Sequence, residues 1–374
     1  MQPGLILSLL LVYFIILYIV SWLTSRNVSN SSFFTAGRRS PWYLIAYSMI
    51  GTSISGVTFI SIPGVVGSGG MNQAFSYMQF VLGYLVGYLV IAFVLMPIYY
   101  KLNLTTIYGY LEKRLGWHAY KTGAGFFILS RSVGCAFRLY LAAMVFQEFL
   151  IKDFGVPFWV TVSTTIGLVW LFTFKGGLKT VIWTDAIQTT MFMLAVILTI
   201  HFIGTEMHLS LSGVVQTIEE SKYSKVFFWD DFWTEPNHFF KQFISGMLIT
   251  IVMTGLDQDM MQKNLSCRNL RDAQKNMISF SLILIIVNLL FLSMGALLYL
   301  YAEQSGIPIP TRTDQLYPII AFHHLPAFAA IVFIMGLASA TYSSSDSALT
   351  SLTTSFCVDF LNFEKSDKGS EKVK

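Results

Sequence analysis

The residues best placed to do chemistry lie at 337–349, Leu-Ala-Ser-Ala-Thr-Tyr-Ser-Ser-Ser-Asp-Ser-Ala-Leu, where hydroxyls and one carboxylate interrupt an apolar segment. Polar side chains at membrane depth are costly unless they face protein, water or an ion. On a helix, Ala340, Ser343, Ser344 and Ser347 follow the i, i+3, i+4, i+7 rule and share one face, with Asp346 beside it. A second stretch, 46–64, carries small and hydroxyl residues in its middle and Pro63-Gly64 after them. It reads either as an interrupted helix, whose freed carbonyls can coordinate a hard cation, or as a small-residue packing face. Carbonyl and hydroxyl oxygens from these two stretches would suit Na+ better than a soft metal.

Asp185, in Trp183-Thr-Asp-Ala-Ile-Gln188, enters the membrane early in its segment and requires a partner. That partner is a cation, an arginine or a basic residue near the inner surface. Arg131 and Arg138 are seven apart and share a helix face well inside their segment. A guanidinium there suits either bidentate contact with an anionic solute or pairing with Asp185 or Asp346. Asp257 and Asp259, in Gly255-Leu-Asp-Gln-Asp, read chiefly as an inner structural network or gate. The histidines His201, His208, His238, His323 and His324 fall at or beyond outer ends, and no nucleophile and base stand at catalytic spacing, so an enzyme is not expected.

These residues need long apolar helices to hold them, and the composition supplies such helices. The 374-residue chain is 54% hydrophobic and 12% charged, with a mean hydropathy of +0.61, which excludes an ordinary soluble domain and disorder alike. Nine spans are expected, at 4–24, 41–66, 73–100, 119–150, 157–174, 178–204, 238–262, 274–302 and 326–360. They form one transmembrane domain over 1–360, followed by a charged tail at 361–374. Most of the 24 Lys and Arg residues fall in the connections after spans one, three, five and seven and in the tail. The positive-inside rule then puts the N-terminus outside and the C-terminus in the cytoplasm.

The outer connection 205–237 reads as a short interfacial helix with a loop, and 303–325 as a second outer loop. Cys135, Cys267 and Cys357 are too widely spaced for a disulfide framework or metal knuckle. The first span lacks the basic start and cleavage site of a signal peptide and reads as a retained helix. No nucleotide-binding loop or nucleic-acid motif is found, which leaves a small solute, an ion and the lipid bilayer as partners.

Four motifs in order resemble the sodium/solute symporter family: Ser48 to Gly70, Gly176-Gly-Leu-Lys-Thr-Val-Ile-Trp-Thr-Asp-Ala-Ile-Gln188, Asp257-Gln258 to Ser266, and Ala338 to Leu349. The resemblance runs nearly end to end. It implies an all-α leucine-transporter-like bundle of two inverted five-helix repeats after an extra first helix. Against that pattern the last two core helices are lacking, so a truncated form is expected.

By position the resemblance also implies a sodium site from the carbonyls of Gly51, Ile54 and Ala340 and the hydroxyls of Ser343 and Ser344. A second sodium would use Asp185 and Ser347, with Asp346 standing where some members have serine. Solute contacts would come from Thr58, Arg131 and Thr250. Met253 and Ser53 replace residues typical of the sugar and proline carriers, and an arginine in span four is similar to the sialic acid carriers, which implies an organic anion. The function expected is sodium-coupled import by alternating access; the alternative is a non-transporting sensor on a partial symporter scaffold.

Overall fold

Among the described residues, the long apolar segments fold as helix, because in hydrocarbon a helix satisfies its backbone polar groups internally. The computed structural model describes residues 3–26, 30–174 and 176–363. Lys175 and all but the start of the charged run expected at 361–374 lie outside the described residues. The peripheral α1, Pro3–Thr24, is followed by a bent pair, α2 (Trp42–Ser53) and α3 (Gly56–Val65). Next come α4 (Tyr77–Lys101), α5 (Trp117–Ile151), α6 (Phe158–Thr173) and α7 (Gly177–Glu206). After the short α8 (Leu211–Glu219) there is a second bent pair, α9 (Phe239–Gly255) and α10 (Gln258–Leu265). Then follow α11 (Leu270–Ser305), α12 (Leu316–His323) and α13 (Ala327–Phe360).

Six of these helices are long and apolar enough to cross a membrane, or eight if each bent pair is one span, and α6 is a shorter apolar helix. The most apolar stretch of α13 is 78% buried against 28% for α1, so the serine-bearing helix is the axis of the bundle and α1 its lipid-facing flank. Helix α13 packs along α7, which packs in turn on α2. Helices α4 and α9 meet almost backbone to backbone. A Cβ on Gly246 or on Gly83 would strike the Phe80 or the Phe243 carbonyl, so side-chain-free positions set this approach.

Both bends measure 66° and both are written into local capping. Helix α2 ends as Ile54 turns extended (φ −94, ψ 103), and Ser55 then caps α3 by accepting from the Thr58 N–H at 3.4 Å. Asp257 caps α10, accepting from the N–H groups of Asp259 at 2.9 Å and Met260 at 3.4 Å. The continuous span read at 238–262 is therefore divided, because the N-cap Asp257 near its C-terminal end starts a new helix. The stretch 303–325, read as an outer loop, contains α12, whose Leu316, Tyr317 and Ile320 are buried. Helix α8 falls inside the 205–237 connection and buries Val214 and Ile218.

Candidate functional site

The first break leaves last-turn carbonyls of α2, Gly51 among them, without intrahelical partners. Gly51 lies directly against α7 and α13. A Cβ there would sit 2.6 Å from the Thr189 hydroxyl, and it would also strike the hydroxyl of Ser343. Helix α13 brings Ala340, Ser343, Ser344 and Ser347 to this level, all buried. The Ser343 hydroxyl donates to Asp185 Oδ1 at 2.5 Å and the Ser344 hydroxyl to the Thr341 carbonyl at 3.0 Å. Each hydroxyl proton is thus already committed, which leaves the oxygen lone pairs as the acceptors a hard cation requires.

Asp185 has a protein partner that the sequence reading did not single out. The Lys263 ammonium, only 1% exposed, donates to Asp185 Oδ2 and to the Thr52 hydroxyl. Ser347 adds a bond to Oδ2 at 3.2 Å, and its hydroxyl stands 3.1 Å from that of Thr52. Of the partners left open for Asp185, the structure thus presents a basic residue, although Lys263 sits in the core and not in the inner connection. Of the second-sodium set, Ser347 bonds Asp185 directly and the buried Asp346 lies beside them. Asp346 Oδ2 accepts from the Thr184 hydroxyl at 3.3 Å, and its Oδ1 has no hydrogen-bond partner among the described residues. Ser48 and both amide atoms of Gln188 are likewise buried and unpartnered.

A cavity of about 210 Å³ adjoins the break. Thr52 and Ser53 of α2 and Ile54 of the break line it, with Thr58, Thr250 and Met253 from α3 and α9. Tyr77, Tyr84 and Tyr88, spaced seven and four apart on α4, form one wall, with the Tyr77 and Tyr84 hydroxyls 3.0 Å apart. That spacing was a legible signal that the sequence reading passed over.

The two arginines of α5 divide their roles. Arg131 reaches the cavity, but its guanidinium pairs with Asp259 and, at 3.4 Å, with Asp257. It pins α5 to the start of α10 and pairs with neither Asp185 nor Asp346. Arg138 also lines the cavity and forms no ion pair among the described residues. Thr58, Arg131 and Thr250 are thus brought to one cavity, and Arg138 is the guanidinium in it without an ion pair among the described residues. At the C-terminal end of α13, Asp359 accepts from Thr106, from Tyr120 at 3.0 Å and from Ser355 at 2.6 Å, joining α5 to α13.

Two broken helices that line one cavity, beside a buried hydroxyl and acid cluster, define a membrane helix bundle of the discontinuous-helix type. The chain belongs to the sodium:solute symporter family, whose model it matches over residues 33–374. It is 27% identical over 359 residues to the sodium/sialic acid symporter NanT of Aliivibrio fischeri, covering 92% of this chain and 66% of that protein. It is 23% identical over 363 residues to the sodium/sialic acid symporter SiaT of Proteus mirabilis, covering 94% and 70%. With the sodium/glucose cotransporter of Vibrio parahaemolyticus it shares 24% over 369 residues, covering 92% and 66%. The chain spans about two thirds of the length of these curated relatives. A solved substrate-bound outward-open state of a Na+-coupled sialic acid symporter superposes with a TM-score of 0.85 at 22% identity, covering 98% of this chain and 78% of that one. The chain therefore has that fold.

Proposed function

We propose that this protein is a sodium-coupled carrier that imports a small organic anion across the cell membrane, with its N-terminus outside and its C-terminus in the cytoplasm. Sodium is held by the Gly51, Ile54 and Ala340 carbonyls and the Ser343 and Ser344 hydroxyls. The anion lies in the cavity with its carboxylate on Arg138 and its polar groups toward Thr58 and Thr250. One observation carries this reading: the end of α2, residues 52–54, forms a wall of the solute cavity, while Gly51, one residue earlier, abuts Ser343 of the cation cluster. An ion joining α2 to α13 therefore fixes the backbone that the solute touches, and each ligand favours the conformation the other needs. Release to the inside requires the Arg131 and Asp359 ties to part. The sialic acid carried by two of the relatives is an anion of the expected class.

The test is uptake of labelled sialic acid, other organic acids, sugars and neutral amino acids by the full chain in proteoliposomes, with an inward sodium gradient. Sodium-driven uptake of an anion, blocked by other anions and not by neutral analogues, is expected. Uptake that is unchanged when choline replaces sodium would overturn the reading.

A further inference from the structure

Lys263 is the feature that sodium coupling does not require. A lysine is rarely fully buried, and at membrane depth its ammonium is costly without a partner. Here it is carried inward by α10, the inner arm of the second bent pair, and ends on an acid and hydroxyl cluster built from three other helices. Its neighbours are Thr52 of α2, Asp185 of α7 and Ser347 of α13. Oxygen atoms gathered from separate helices around a buried carboxylate make a monovalent-cation site by chemistry, and the cation in it is covalently part of the chain.

The ammonium takes up the Oδ2 side of Asp185. A carboxylate offers about four lone-pair sites. Around Asp185 stand Lys263, Ser347 at 3.2 Å and Thr52 at 3.4 Å on Oδ2, Ser343 at 2.5 Å on Oδ1, and the buried carboxyl of Asp346. A sodium ion at Oδ2 would have to displace the ammonium or sit beside a like charge, which is strongly unfavourable away from water. Ser343, which the carrier reading assigns to the sodium ligands, is hydrogen-bonded to the same carboxylate. The ammonium therefore steadies the serine that the mobile ion uses.

We propose that Lys263 is a tethered cation that permanently fills a second cation position at Asp185, so that the protein moves one sodium ion, and not two, with each solute. The inference rests on the carrier reading above and adds the stoichiometry. In each cycle the charge at Asp185 stays compensated by the chain, and only the ion at Gly51, Ile54, Ala340, Ser343 and Ser344 is exchanged.

The experiment measures the sodium-to-solute ratio from reversal potentials of solute flux in proteoliposomes, for the full chain and for Lys263→Ala and Lys263→Met. One sodium per solute is expected for the unaltered protein. Removing the ammonium vacates Asp185, so in either variant the ratio should rise toward two and the sodium dependence should become sigmoidal. A merely structural ion pair would lower transport or stability and leave the ratio unchanged. Two sodium ions per solute in the unaltered protein, or an active variant that keeps a ratio of one, would overturn the inference while leaving sodium coupling intact. Where neither variant folds, the ratio of the unaltered protein decides by itself. Uptake indifferent to sodium would overturn the carrier reading, and this inference with it.

Discussion

Replacing Arg131 with methionine keeps most of the side-chain volume and removes the charge that holds α5 to the start of α10. The Arg131 side chain is 8% exposed and those of Asp257 and Asp259 are 16% and 2%. At the 3.4 Å separation of Arg131 and Asp257, the attraction is about 5 kcal/mol for an effective dielectric near 20. Most of that gross value offsets the desolvation of the charges. The measurable consequence is instead the cost of leaving buried acids unpaired, about 3–5 kcal/mol. Asp259→Asn should cost less, about 2 kcal/mol, because Arg131 keeps Asp257 as a partner.

The double variant should then be less destabilised than the sum of the two singles by about 2 kcal/mol, since the asparagine needs no counter-ion. Equilibrium unfolding of the purified protein in detergent, followed by tryptophan fluorescence, would measure the cycle. A methionine variant within about 1 kcal/mol of the unaltered protein, or strictly additive effects, would refute the view that this pair is a buried, energetically committed lock.

Ser343→Ala and Ser344→Ala should each raise the half-saturating sodium concentration by about 10- to 100-fold, the worth of one charge-assisted contact at 1.5–3 kcal/mol, with little change in maximal uptake at saturating sodium. Sodium titration of solute uptake reads this. Arg138→Gln should raise the KM for an anionic solute by about tenfold or more, and Arg138→Lys should restore it only in part, because a lysine lacks the bidentate fork. Competition uptake over several anions checks it. Gly246→Leu should cost about 1–3 kcal/mol or prevent folding, because its side chain would run into the Phe80 carbonyl where α4 and α9 cross. Thermal stability in detergent reports the loss. Gly69→Ala, where a Cβ would meet nothing within 4 Å, is the control.

The helical, membrane-spanning character of the chain was legible without coordinates, because the bilayer imposes a length and an apolarity that single residues display. The small-residue run at 46–64 and the i, i+3, i+4, i+7 serines of α13 were equally legible, since both patterns are local to one helix. So was the first break, which Ser55 caps within three residues.

Other features depended on distance across the bundle, about which one-dimensional spacing says nothing. Lys263 and Asp185 are 78 positions apart. The sequence placed the lysine among the basic residues of an inner connection, and only the 66° turn after Asp257 carries it into the core. Arg131 and Arg138 share a face and a residue type, so the sequence could not tell which one is neutralised. The bend that starts α10 decides it, by placing Asp257 and Asp259 beside Arg131 and leaving Arg138 without an ion pair among the described residues. The sequence by itself determined which oxygens and charges could be brought to membrane depth, because their cost there selects them. Tertiary structure alone decided which charges meet, because a buried charge takes whatever partner the helix packing puts within about 4 Å.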